Sequence, residues 1–257
     1  MENSKVVKAA ILIIGDEILS GRTEDANLSY MAQWLGQLGI QVAEVRIVAD
    51  HEDSIVDAIN ALRHAYDYVL TTGGIGPTHD DITSDAVAKA FNVPIDYHPK
   101  ALEILQAHYE EGEFNAARKR MARIPQGGVL IDNPISVAPG FEIENVFVMA
   151  GIPMINRAML ESIRHRLVGG APVRSRVVAA HLAEGAVAER LGNIQLRYGR
   201  VSIGSYPYYR SSHFGTTFVL RSAEQDDLAA AFDDVVAMIG DLGGDPIFDE
   251  LKVKPVK

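Results

Sequence analysis

The 257-residue chain is long enough for one large domain or two modest ones, and its 47% hydrophobic and 23% charged content suits a protein with a buried core. A net charge of −10, from 34 acidic and 24 basic residues, argues against nucleic acid as a partner, because phosphate backbones are met by basic surfaces. The absence of cysteine excludes disulfides, thiolate metal sites and cysteine nucleophiles.

Residues 5–14 (KVVKAAILII) form a nearly continuous apolar run, as expected of a strand covered on both faces. The run is far short of the ~18 residues of a membrane span. It leads straight into acidic residues, unlike a secretory signal, so a cytoplasmic protein with no membrane partner is expected. Residues 26–38 carry Leu28, Met31, Ala32, Leu35 and Leu38 at helical spacing, and Gly39 supplies a stop. A strand at 41–48, a helix at 53–65, a strand at 68–72 and a helix from about 82 to 91 follow. This alternation predicts a mostly parallel sheet with helices on both faces, a three-layer α/β fold. Helices are expected at 99–111 and, in a basic segment, at 114–123. Residues 127–143 (GGVLIDNPISVAPGFEI) read as a loop or irregular hairpin, 145–153 as a strand with a tight turn, and 154–167 as a helix. VGGAP (168–172) marks a candidate boundary between domains 1–170 and 171–257. The second part reads as a smaller α+β domain with an antiparallel sheet: strand 173–181, helix 183–191, strands 201–205 and 216–222, helix 224–239. A long aromatic connection, YPYYRSSHFG (206–215), joins the two inner strands, and a polar tail (243–257) packs back or stays loose.

Ligands of open parallel sheets bind beyond the carboxyl ends of the strands. Three loops are predicted at that edge: GDEILSGRTEDAN (15–27), TTGGIGPTHDD (71–81) and AGIP (150–153). In the second, Gly73, Gly74 and Gly76 let backbone amides approach an anion, with a helix N-terminus behind them. Thr72, Thr78 and Thr83 could add hydroxyls. Asp80 and Asp81 admit two readings, complementing the helix dipole or holding a divalent cation, and Thr78 with Asp81 also fits a cap. No Gly-Lys-Ser/Thr follows, which excludes a P-loop, and neither a dinucleotide fingerprint nor a nucleophile elbow is matched.

Weaker candidates surround this loop. Glu17, beside Asp16, is a second carboxylate for a metal or a base for water, or else a solvated loop acid. Asp50 lies at the same edge or caps the next helix, and His79 is a lone loop histidine. The cluster Arg118, Lys119, Arg120 and Arg123 could meet a small phosphorylated ligand, although a solvated helix face is the plainer reading. Tyr206, Tyr208, Tyr209 and Phe214 would stack on a flat ring or anchor a subunit interface.

TTGGIGPTHDDIT resembles the signature loop of the MoaB/Mog-like molybdopterin-binding domain in its CinA-type branch. GDEILSG resembles that branch's G-T-E-[IL]-L-x-G loop with Asp16 in place of threonine, and DNPISVAPGF (132–141) resembles its N-P-x-x-x-A-P-G-F segment. IGSYP (203–207) is similar to the second, smaller domain of the same proteins. AGIP departs from the G-P-P common in that branch and, with GGIGPTHDD, is closer to the molybdopterin-binding-like region of eukaryotic FAD synthases. The amidohydrolase and adenylyltransferase domains of such proteins are not matched, so those activities are not carried over.

The resemblance implies a three-layer α/β domain that forms homo-oligomers. It implies either binding or adenylylation of molybdopterin, or metal-dependent hydrolysis of a pyrophosphate bond in ADP-ribose or FAD, and we favour the hydrolase. A non-catalytic oligomeric binding protein is a third expectation. On the favoured reading Asp81, Asp80 and Glu17 hold a divalent ion (Mg, Mn or Co) and serve catalysis. The phosphorylated ligand is bound by Gly15, Thr72, Gly73, Gly74, Gly76, Pro77, Thr78, Thr83, Lys119, Asn133, Pro139, Gly140 and Gly151.

Overall fold

Strand β1 (Val7–Ile14) explains the longest apolar run in the chain. Its alternate residues Ala9, Ile11 and Ile13 enter one apolar layer, while Ala10, Leu12 and Ile14 enter the other. A strand covered on both faces favours apolar side chains along its buried length, which here begins at Ala9, after the exposed Lys8. The computed structural model describes residues 6–210 and 213–248, and the chain divides into two units, 1–170 and 171–257. Lys5, expected to begin the first strand, lies outside the described residues.

In the larger unit β1 is followed by a short helix α1 (Asp16–Leu19), helix α2 (Leu28–Gln37), strand β2 (Ile40–Val48), helix α3 (Glu52–Ala65), strand β3 (Tyr68–Thr72) and helix α4 (Thr83–Phe91). Gly39, with φ of +73°, ends α2 in the left-handed conformation that glycine adopts without steric cost. Next come strand β4 (Ile95–Tyr97), helix α5 (Pro99–His108), helix α6 (Ala116–Arg120), strand β5 (Arg123–Pro125), strand β6 (Val129–Ile131), strand β7 (Gly140–Ile143), strand β8 (Val146–Met149) and helix α7 (Pro153–Ile163). The main sheet has the order β2-β1-β3-β8-β7-β6; β2, β1, β3 and β8 are parallel, and β7 and β6 are antiparallel additions. Met31, Leu35, Met159 and Leu160 cover one face, and Ile55, Ile59, Leu62 and Val87 the other. This is a three-layer, mostly parallel α/β architecture.

Residues 95–125 form a separate excursion. β4 and β5 pair antiparallel, and between them Ala101, Leu105 and Ala122 gather Tyr109, Phe114 and Met121 into a small core. The helix expected at 114–123 is only α6, capped by the Asn115 side chain, which accepts from Arg118 N–H at 3.0 Å. After a turn at Met121 and Ala122 the last residue of that segment, Arg123, begins β5, where the residue before Pro125 is biased to extended backbone.

The smaller unit has strand β9 (Arg174–Ala180), helix α8 (Glu184–Arg197), strand β10 (Ser202–Arg210), strand β11 (His213–Ser222) and helix α9 (Gln225–Asp241), with sheet order β10-β11-β9, all antiparallel. Val178, Phe218 and Leu220 pack against Ile194, Phe232, Val235 and Ile239. Helix α8 runs beyond the expected residue 191 because Ile194 reaches this core. The aromatic connection expected at 206–215 is instead mostly strand. Tyr208 pairs with Gly215 and Tyr209 with Phe214, as aromatic strand formers do. Pro207 is tolerated because β10 is an edge strand. The Ser211–Ser212 part of that connection lies outside the described residues. The tail packs back as far as Ile247, which exchanges two backbone hydrogen bonds with Ala179, and its residues 249–257 lie outside the described region. Among the described residues no helix is long and apolar enough to cross a membrane.

Candidate functional site

The carboxyl ends of β1, β3 and β8 meet at one edge. Gly73 N–H donates to Met149 O at 3.2 Å, and Gly15 N–H to Val48 O at 3.1 Å. Gly73 has φ of +107°, and a Cβ there would collide with the Ile14 carbonyl. One on Gly151 would press on Gly73 Cα at 3.3 Å. These glycines let three chain segments approach one another where side chains would hold them apart. Gly74, with φ of +66°, is braced by Thr83, whose N–H donates to Gly74 O and whose hydroxyl donates to Gly73 O, each at 3.0 Å. Among the described residues, the N–H groups of Gly74, Ile75 and Gly76 have no hydrogen-bond partner in the protein. They border a cavity of about 600 Å³ formed entirely by the larger unit.

Of the expected ligand residues, Gly15, Gly73, Gly74, Gly76, Pro77, Asn133 and Gly151 line this cavity, as do Glu17, Asp80 and Asp81. Thr72, Thr78, Thr83, Lys119, Pro139 and Gly140 do not. Thr83 is spent as the strut just described. Thr72 is buried, accepting from Asn27 Nδ2 at 3.0 Å and donating to Ala150 O at 3.3 Å. Asn27 Nδ2 also donates to Gly151 O at 2.7 Å, so this buried pair supports the 150–153 turn from beneath. Gly140 sits in β7, where a Cβ would strike the Val148 carbonyl and the Met159 methyl, and it serves packing.

Asp80 and Asp81 precede the N-cap of α4, Ile82, so neither belongs to the first helical turn; that place is held by Asp85. Asp81 Oδ2 accepts from Thr78 N–H at 2.8 Å and from the Thr78 hydroxyl at 2.5 Å. Thr78, though exposed, is thereby tied to Asp81 and closes the loop. Asp80 is exposed, and its carboxyl is held below the usual range, first by the Thr78 side chain and then by its own backbone N–H. His79, beside it, is almost fully exposed and does not line the cavity.

Asp50, reached from the end of β2, was a weaker candidate from the sequence, and the structure places it at this edge. It lines the cavity and accepts from Asp16 N–H at 2.9 Å through Oδ2. Burial raises its pKa, and the negative charges of Asp16, Glu17 and Asp80 add to the rise. Glu17 lies against Gly15, with its carboxylate 2.7–2.9 Å from where a Gly15 Cβ would stand. Among the described residues no three acidic or histidine side chains converge as a ready metal cage. The four carboxylates Glu17, Asp50, Asp80 and Asp81 are nevertheless hard oxygen donors along one cavity. Mg²⁺ commonly takes only one or two carboxylates, with water and substrate phosphate completing its shell, and the partial set fits that mode.

The remaining wall comes from residues 109–138. Tyr109, Arg118, Met121, Ser136 and Ala138 line it; of these only Arg118, as part of the basic cluster, was a candidate from the sequence. Lys119 lies 5.5 Å over the Phe114 ring instead, and Arg123 is paired with Asp85 at 2.7 Å. Asn133, 6% exposed, donates from Nδ2 to Ser136 Oγ and Ala138 O, each at 2.8 Å, and accepts from Ile135 and Ser136 N–H, each at 3.1 Å. This knot holds Val137 at φ of +57°, an uncommon conformation for a β-branched residue.

Residues 10–168 match the family model of a probable molybdopterin binding domain, and residues 172–242 match the middle domain of FAD synthase. The chain belongs to the molybdopterin-binding-domain family. It is 35% identical over 195 residues to a CinA-like protein of Citrifermentans bemidjiense, covering 72% of this chain and 47% of that one. To a probable FAD synthase of Caenorhabditis briggsae it is 28% identical over 251 residues, 86% of this chain and 47% of the relative. The chain thus spans about half the length of each of these two relatives. A crystal structure of the protein CinA, of unknown function, from Thermoplasma acidophilum superposes with a TM-score of 0.59 at 30% identity, covering 62% of this chain and 96% of that one.

Proposed function

We propose that the protein is a divalent-metal-dependent pyrophosphatase acting on a dinucleotide-like substrate such as ADP-ribose or FAD. The observation carrying this reading is that one cavity joins three unpaired backbone N–H groups, at Gly74, Ile75 and Gly76, to four carboxylates. Unpaired amides on a glycine loop bind phosphate oxygens. Carboxylates alone would repel a phosphate, so their presence beside those amides calls for a cation between them. When bound, that cation supplies Lewis-acid polarisation of the phosphoryl group and neutralises charge. Glu17, Asp80 and Asp81 would hold it.

The chain's own residues do the rest. The loop amides fix one phosphate of the pyrophosphate. Asp50, whose proton affinity is raised, accepts a proton from the attacking water. The new P–O bond forms as the bond from phosphorus to the bridging oxygen breaks, and the second phosphate leaves with that oxygen. The similarity of 172–242 to the FAD synthase middle domain supports a flavin or adenine dinucleotide as the substrate class.

The test is incubation with ADP-ribose, FAD and NADH in Mg²⁺, Mn²⁺ or Co²⁺, following AMP. Release is expected with at least one metal, and Asp81→Asn should reduce it on the order of 10²-fold. No AMP with any metal would end this reading. The family's description favours a second one, in which the same amides hold the phosphate of molybdopterin. It requires tight pterin binding and no metal-dependent AMP release.

A further inference from the structure

Among the described residues that line the cavity, Arg118 is the only cationic side chain, against four carboxylates. Its neighbours in the basic cluster are engaged elsewhere: Arg123 with Asp85, Arg120 toward the Asp81 carbonyl at 3.4 Å, and Lys119 over Phe114. Three separate features aim Arg118. Its backbone N–H is fixed by the Asn115 cap at 3.0 Å. Its guanidinium lies 4.2 Å over the Tyr109 ring, and Tyr109 is stacked on Phe114 with an interplanar angle of 13°. Its Nη1 donates to the Glu113 backbone oxygen at 2.7 Å and to Glu113 Oε2 at 3.1 Å. A planar guanidinium held against a ring keeps its donor fork directed while one third of the side chain stays exposed.

We infer that Arg118 is the phosphate-binding cation of this cavity, and that Glu113 is the internal anion which a ligand phosphate displaces from it. The inference rests on the nucleotide reading of the same cavity and adds to it a cationic contact for the phosphate of a nucleotide bound there. Glu113 is half exposed, so exchanging its carboxylate for a phosphate exposes little apolar surface. The backbone bond to Glu113 O remains through the exchange and preserves the aim of the side chain. Phosphate is the stronger match to a guanidinium fork, since it offers more charge and more acceptor oxygens than one carboxylate.

The experiment is calorimetric titration of the full chain with AMP in Mg²⁺, using adenosine as the phosphate-free probe. AMP contains no pyrophosphate bond, so nothing is turned over, and the outcome is independent of whether ADP-ribose is cleaved. Arg118→Gln should weaken AMP at least about tenfold, the size of a lost charge-assisted hydrogen bond, while adenosine binds as before. Glu113→Gln should do the reverse and tighten AMP, about two- to fivefold, by removing the competing charge. The two opposite signs separate ligand binding from a structural role, which would weaken AMP in both variants. The inference is overturned if AMP fails to bind the unaltered protein, if Arg118→Gln weakens adenosine as much as AMP, or if Glu113→Gln weakens AMP.

Discussion

Two carboxylates in one cavity are pushed in opposite directions: burial raises Asp50, while the Thr78 side chain lowers Asp80. Such separation is how one site keeps a base beside a permanently charged ligand group. For Asp50 the folded protein holds the proton more tightly than the unfolded chain. Over the window from the ordinary 3.8 up to its raised value the native state therefore binds more protons, and stability falls as pH rises through that window. Asp50→Asn keeps an acceptor for Asp16 N–H and removes the charge. It should melt at a higher temperature than the unaltered protein at pH 7, and the advantage should vanish below the ordinary Asp range. AMP release should fall about 10²- to 10⁴-fold, with loss of the acidic limb of the pH–rate profile. Equal or lower stability at pH 7 would show that the carboxylate is compensated. The sequence placed the glycines and Asp80–Asp81 in the cavity because they are contiguous. Asp50 was only a weak candidate because it lies 34 residues from its partner Asp16 along the chain. Within the basic cluster Arg118, rather than the expected Lys119, lines the cavity, because side-chain direction on a five-residue helix is set by the Tyr109 and Asn115 contacts rather than by spacing.

At the scale of elements, the β-α alternation of residues 6–91 was legible because β1 is an apolar run, β2 alternates and α2, α3 and α4 each keep one apolar face; the short α1 has no buried residue and left no such signal. The excursion from 95 to 125 was less so: β4 and β5 have three residues each, too few for a period to show. The segment from 132 to 141 mixes two functions that the sequence motif does not separate. Gly140→Ala would drive a methyl into the Val148 carbonyl and the Met159 side chain between β7, β8 and α7. It should cost about 1–3 kcal/mol in denaturant unfolding while the AMP affinity of the folded protein is unchanged. Asn133→Ala removes both Nδ2 donors and the Oδ1 acceptor that hold Val137 in its left-handed conformation. It should cost about 2 kcal/mol and also weaken AMP, because the wall at Ser136 and Ala138 relaxes with it. If Gly140→Ala weakened AMP as strongly as Asn133→Ala, the distinction between a packing glycine and a cavity-shaping asparagine would fall.

For the whole molecule, the two units have separate sheets and separate cores, yet all residues lining the cavity belong to 1–170. The chain has one tryptophan, Trp34, which is 3% exposed in the core of the larger unit and donates from Nε1 to Glu161 at 2.6 Å. Its fluorescence therefore reports unfolding of the unit that carries the cavity, whereas far-ultraviolet circular dichroism reports helices and strands of both. A ligand bound only to the native form stabilises by RT ln(1 + [L]/Kd), about 2.7 kcal/mol at a hundred times Kd. AMP with Mg²⁺ should accordingly move the Trp34 transition upward in temperature. The part of the dichroism change that does not follow Trp34 should stay where it was. In Arg118→Gln the Trp34 shift at the same AMP concentration should shrink in proportion to the lost affinity. A dichroism transition that moves as one with Trp34 would mean that the units unfold cooperatively, and substitutions in 171–257 would then reach the ligand through stability. A Trp34 transition unmoved by AMP, with the protein otherwise folded, would place the nucleotide outside the cavity and remove the basis for the pyrophosphatase mechanism.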